Sequence, residues 1–202
     1  MYQPKKYKKS DSSYRFNFIR AHPFATVILN GNRLLATHIP VLTEGNAQNF
    51  RLFTHIANHN EMFTYLNDGA EILLIFHGAH DYVSSSWYRE KDISTWDYSA
   101  VHVNARIKLQ TEKELEDSLE KLVAHFEQHQ EDPVFYHDIP RNIIDEHLPL
   151  ITGFWCEPIK IEAIAKLHQG FGREDVNSII QQLDKRNPEL SREIQKEHGT
   201  DN

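Results

Sequence analysis

The 202-residue chain reads as a mainly β protein with flanking α helices, built on antiparallel strands. Three observations predict this class. Asn30-Gly31 lies between two apolar, β-branched-rich runs in FATVILNGNRLLATHIPVL, the strongest short signal for a hairpin, because both residues tolerate positive φ. From Ser99 to Gln110 the side chains alternate: Val101, Val103, Ala105, Ile107 and Leu109 face one way, and His102, Asn104, Arg106 and Lys108 the other. The strand-like runs also follow one another through turns, which favours an antiparallel sheet or barrel over βαβ units.

The elements follow in order. Ser12 or Ser13 can cap a short helix through YRFNFIRA, stopped by Pro23. The Asn30-Gly31 hairpin comes next, then a turn in TEGNAQNF and a third strand in RLFTH. A helix is expected over 58–66, ended by Asp68-Gly69, and EILLIFHG and DYVSS read as two further strands. After the alternating strand, Thr111 and Glu114 form a capping box for a helix whose apolar stripe is Leu115, Leu119, Leu122, Val123 and Phe126. PRNIIDEHLPLI reads as a short helix, and TGFWCEPIKIEAIAKL as a last strand with Pro158 marking a bulge or edge. Val176, Ile179, Ile180 and Leu183 define one more amphipathic helix, and residues 188–202 read as a frayed, mixed-charge tail behind a domain spanning 1–187.

Composition excludes several classes. A net charge of −7 argues against a general nucleic-acid binder, whose binding face must be basic. The single cysteine, Cys156, rules out an internal disulfide and reads as a buried, inert thiol. The N-terminal MYQPKKYKKSDSS has no apolar core and no run approaches the length of a membrane span, so the expectation is a cytoplasmic protein. KKYKK reads as a solvated arm. His125/His129 and His77/His80 have helical spacings, yet no HExxH or paired CxxC accompanies them, and no metal site is expected. P-loop, G-x-S-x-G and G-x-G-x-x-G motifs are absent from the sequence.

Three segments interrupt strand-like sequence with polar groups. LLATHIP carries Thr37 and His38; FTHIANHN carries Thr54, His55, Asn58, His59 and Asn60 at the entry to the expected helix, where free N–H groups suit a phosphate. The third, AHDYVSSSWYREKDISTWDY, concentrates two of the chain's three tryptophans. Such rings either plug a core or wall a pocket for a flat, polar ligand.

Taken in order, FIRAHPFATVI, LLATHIPVL, HIANHN, ILLIFHGAHDYVSSSWY, TWDYSAVHVNARI and ITGFWCEPIKIEAIAKLHQ resemble the PaiB family, a branch of the FMN-binding split-barrel proteins. The resemblance implies a homodimer of six-stranded antiparallel split barrels with FMN at the subunit interface. It implies that Thr37 and His38 lie along the flavin, that His55, Asn58 and Asn60 hold its phosphate, and that Ser86, Trp87, Tyr88 and Trp96 border the cleft. His102 would face that cleft, and Lys166, His168 and Gln169 would close it. The chain departs from the family pattern at Asn58, where a basic residue is usual, at Ser85, where proline is usual, and in HQGF, where Ser-Gln-Asn and a basic residue are usual. Losing charge at a dianion site weakens it, since charge-assisted hydrogen bonds are the stronger ones. The family label implies a negative transcriptional regulator, although no helix-turn-helix or basic recognition helix supports direct DNA binding. The alternatives are a flavin-dependent oxidoreductase, with His38, His55 and His102 as the only acid–base candidates, and a haem-binding or haem-degrading relative.

Overall fold

The Asn30-Gly31 signal does produce a hairpin. In the computed structural model, which describes residues 1–199, β1 (Phe24–Asn30) pairs antiparallel with β2 (Leu34–Pro40) from Phe24↔Pro40 to Asn30↔Leu34. The loop is three residues rather than two, and Gly31 does not take positive φ. Its requirement is space: a Cβ there would stand 2.7 Å from the Tyr65 ring.

Five further strands complete the sheet: β3 (Leu42–Asn46), β4 (Asn49–Ala57), β5 (Glu71–Val83), β6 (Thr95–Leu109) and β7 (Ile151–Lys166). The sheet has seven strands, not six, in the order β2-β1-β5-β6-β7-β4-β3. EILLIFHG and DYVSS belong to one long strand, β5, whose register against β6 shifts between His77 and His80. The predicted irregularity at Pro158 is present: Asn104 pairs with Lys160 and Ala105 with Pro158, leaving an extra residue on β7.

The sheet curls round one core. Leu35 and Val27 from one end of the strand order, Leu52 and Ile56 from the other, and Leu74, Phe76, Val101, Val103, Ala105, Phe154 and Cys156 between them belong to a single buried cluster. The Thr54 hydroxyl donates to the Pro40 carbonyl at 2.6 Å, tying β4 to the end of β2 and drawing the two ends of the order together. Val103 and Ala105 are fully buried while Arg106 and Lys108 are exposed, as the alternation predicts.

Among the described residues, five α helices flank the sheet: α1 (Ser12–Ala21), α2 (Glu112–Glu127), α3 (Arg141–His147), α4 (Arg173–Leu183) and α5 (Pro188–His198). The cap of α1 is Asp11, not Ser12 or Ser13; its carboxylate accepts from the Tyr14 N–H at 2.7 Å. The Thr111–Glu114 capping box on α2 is present as expected. The helix expected over 58–66 is only a 3-10 turn, Glu61–Tyr65. Its Phe, Thr and Tyr are weak helix formers, and Gly69 at φ +87 turns the chain into β5.

The tail expected to fray is helix α5. Asn187 caps it through the Leu190 N–H, Pro188 occupies the first turn, and Leu190 and Ile194, four apart, are fully buried. Few apolar residues in a charged segment are enough when both share one face. With Val176, Ile179, Ile180 and Leu183 of α4 they form a second core against Val83, Ala165 and Leu167 at the ends of β5 and β7. The last residues of the expected tail, 200–202, lie outside the described residues.

Candidate functional site

The register aligns two candidate residues on one surface. His38 pairs with Thr26, Thr26 with Ile75, Ile75 with His102, and His102 with Glu162. Paired residues in antiparallel strands project to the same face, so this row crosses β2, β1, β5, β6 and β7 on the side away from the barrel core. The adjacent row is Ala36, Ile28, Leu73, Asn104 and Lys160. Ile28, Leu73 and Ile75 therefore make a half-buried apolar strip on an outer face, bordered by Thr26, His38, His102 and Asn104. The His38 Nδ1 is 3.0 Å from the Thr26 hydroxyl. Burial, with the N-terminal amine nearby, lowers the His102 pKa and favours a neutral imidazole.

A second group lies where β6, β7 and the 84–94 loop meet. Asp97 and His168 are 0% and 3% exposed, and an Asp97 carboxylate oxygen bonds the His168 Nδ1. The His168 Nε2 lies 2.7 Å from the Tyr88 hydroxyl. Burial and the Asp97 charge push the Tyr88 phenol up to about 12, so it remains protonated. The other Asp97 oxygen is buried without a hydrogen-bond donor and faces the Lys166 ammonium at 3.9 Å. Lys166 donates to the Trp96 carbonyl at 2.5 Å and to the Thr95 hydroxyl. Burial lowers its pKa, and Asp97 opposes that shift. His168 itself takes φ +58, a left-handed conformation that the turn into α4 imposes on a non-glycine residue.

The sequence candidates thus separate within one chain. Thr37 projects toward the barrel side of β2 and accepts a 3.3 Å bond from the Asn60 amide. Asn60 uses its own oxygen on the Met62 N–H, so the expected open helix N-terminus is a short turn that caps itself. Asn58 is engaged elsewhere: its amide donates to the Pro149 carbonyl at 2.9 Å and accepts from the Thr152 hydroxyl at 2.7 Å. His55 lies on the opposite side of β4 from Leu52, Thr54 and Ile56, and burial lowers its pKa. Tyr88 and Trp87 pack against α4 and α5 rather than facing open space, with the Arg186 guanidinium 5.5 Å over the Trp87 ring. Ser86 is exposed and shares a 2.8 Å bond with Ser84. Trp96 is the ring that stays open: it is 55% exposed and contacts the 40% exposed Tyr82. Gln169 closes its own turn, donating to Ala165 O and accepting from the Leu167 N–H.

Asp97 was absent from the sequence candidates. Its signal was faint: an acidic residue in a strand run whose neighbours two and four positions on, Ser99 and Val101, turn inward.

Residues 1–162 match the model of a family described as "Putative FMN-binding domain". The chain belongs to this FMN-binding family. The "Protease synthase and sporulation protein PAI 2" of Bacillus subtilis (strain 168) is 29% identical over 184 residues, 91% of this chain and 89% of the relative, in keeping with the PaiB resemblance. Among solved structures, the FAD and Heme binding protein from Mycobacterium smegmatis aligns with a TM-score of 0.60 at 13% identity, over 85% of this chain and 79% of that one. The Flavocytochrome Anf3 from Azotobacter vinelandii aligns with a TM-score of 0.55 at 16% identity, over 84% of this chain and 73% of that one. These likenesses establish the split-barrel fold.

FMN is the cofactor that family membership assigns, and the outer face fits it chemically. An apolar strip of Ile28, Leu73 and Ile75 suits a flat ring system, and its border offers hydroxyl, amide and neutral imidazole groups for a polar edge. For the phosphate, two cations of this face are already paired: Arg106 with Glu71 at 3.2 Å and Lys160 with Glu162 at 3.2 Å.

Proposed function

We propose that the protein is an FMN-binding homodimer of the PaiB type, with the flavin held where the outer sheet faces of two copies meet. The observation that carries this reading is the row His38–Thr26–Ile75–His102, which puts two sequence-nominated residues beside an uncovered apolar strip. A second copy would cover Ile28, Leu73 and Ile75, and the open Trp96 at the start of its β6 would approach the same space. The Asp97–His168–Tyr88 chain acts at a distance by holding the 84–94 loop, and Lys166 by holding the Trp96 carbonyl.

Bound FMN would supply one- and two-electron redox chemistry. The protein's own groups bind and orient: Ile75 and Leu73 exclude water, and His38 and Thr26 offer a hydrogen-bonding edge. His102, held neutral, can accept or donate one hydrogen bond without bringing a charge. We take the regulatory role that the PaiB resemblance implies over turnover, since Glu71 and Glu162 on this face are each held by a cation, Arg106 and Lys160. Such a regulator would work in the cytoplasm through flavin occupancy and a partner, in keeping with the net charge of −7. Among the described residues no helix is long and apolar enough to cross a membrane.

The visible absorption spectrum of the purified protein, before and after adding FMN, tests this reading. Flavin bands that remain with the protein through gel filtration are expected. A Soret band, or loss of all added FMN, would overturn it.

A further inference from the structure

The C-terminal helix, outside the matched family residues 1–162, brings two carboxylates to a histidine from the other end of the chain. His22, Glu189 and Glu193 each offer one ligand atom, and these atoms all lie within 4.8 Å of one another. The flavin reading uses none of them.

Each is positioned by the fold. His22 is the C-cap of α1; its N–H donates to Phe18 O and Ile19 O, and its ring centroid lies 4.4 Å from that of Phe18. Glu189 and Glu193 are four apart on α5, a spacing that puts both on one helix face. Glu193 accepts a 2.5 Å bond from the hydroxyl of the fully buried Ser99 and another from the Ala79 N–H. Such outer bonds orient a carboxylate in the way that surrounding hydrogen bonds orient metal ligands.

His22 and Glu193 line one cleft of about 460 Å³, together with Lys9, Lys196 and Glu197. Lys9 pairs with Glu197 at 2.5 Å.

We propose that His22, Glu189 and Glu193 form a site for a zinc-class divalent cation that clasps α5 to α1. One imidazole nitrogen with two carboxylate oxygens suits Zn²⁺ better than Mg²⁺, which prefers an all-oxygen shell. Glu189 is exposed, so water completes the coordination on its side. A cation bound here engages the folded chain only, and so stabilises it by mass action. Sequence spacing does not reveal this site, because His22 and the Glu189–Glu193 pair lie at opposite ends of the chain.

Isothermal titration of the full chain with ZnCl2 and with MgCl2, paired with thermal melts, tests the proposal. Wild type should take up one Zn²⁺ per chain, prefer it to Mg²⁺, and melt at a higher temperature when it is present. Glu189→Gln, an exposed change that leaves the packing of α5 intact, should weaken Zn²⁺ by about tenfold or more, as should His22→Gln. His147→Gln, an exposed change on α3, should leave binding unchanged. Absence of Zn²⁺ binding, or equal binding by wild type, Glu189→Gln and His22→Gln, would overturn the site; a preference for Mg²⁺ would overturn the assigned class.

Discussion

The Nε2 of His168 lies 2.7 Å from the Tyr88 hydroxyl, joining the end of β7 to the 84–94 loop across a buried contact. The other ring nitrogen bonds Asp97, which is fully buried. His168→Ala would leave that carboxylate without its close partner, a loss of about 3–5 kcal/mol in urea denaturation. Tyr88→Phe removes only the outer bond and should cost about 1–3 kcal/mol. Equal, small losses for both would show that Asp97 does not depend on His168.

Val103 is fully buried on the core side of β6, between Leu74 of β5 and Ile161 of β7. Val103→Asp would bury an unpaired carboxylate, at a cost of several kcal/mol that a marginally stable domain is not expected to survive. A folded variant with an unchanged Tm would contradict the assigned face.

These two cases mark how far the sequence could be read. The dry face of β6 was plain because strict alternation over a long strand leaves one register, and the Thr111–Glu114 cap was plain because it is local chemistry. The join of EILLIFHG to DYVSS was hidden by Gly78, which reads as a strand end yet sits where a Cβ would meet the Phe18 ring at 3.0 Å. Asn58 shows the limit at the candidate site. A polar residue beside a turn signals a ligand or a structural bond equally well, and only the approach of Pro149 and Thr152, far along the chain, decides for the bond. Helix α5 escaped because Leu190 and Ile194 are its only large apolar residues.

Stability should depend on pH through histidines whose pKa burial lowers, among them His22, His55 and His102. Burial lowers the pKa values of His22, His55 and His102 from 6.5. The unfolded chain therefore takes up protons that the folded chain resists, so their contribution is complete above about pH 6.5 and is lost as pH falls through the folded values. Glu193, whose carboxyl is raised from 4.5, acts in the opposite sense: its contribution is lost as pH rises through its folded value. The variants, not the bare slope, therefore carry the test. His55→Gln with His102→Gln should flatten the fall in Tm between pH 7 and pH 5; an unaltered profile would contradict the assignment.

Ile75 lies at the centre of the outer row, between Thr26 and His102. On the proposed dimer, Ile75→Glu would bury a charge between two copies. Light scattering should find wild-type dimers and a folded Ile75→Glu monomer, with the same far-ultraviolet circular dichroism. A wild-type monomer, or a variant that dimerises as well as wild type, would place the interface elsewhere or nowhere.

An equilibrium titration of FMN, followed by flavin fluorescence, on wild type and on Ile75→Glu tests the shared flavin site most directly. Saturable binding of one FMN per protomer to wild type and loss of binding in the folded variant are expected, because the proposed site needs both copies. Failure of wild type to bind, or equally tight binding by wild type and a monomeric Ile75→Glu, would contradict a site shared between copies.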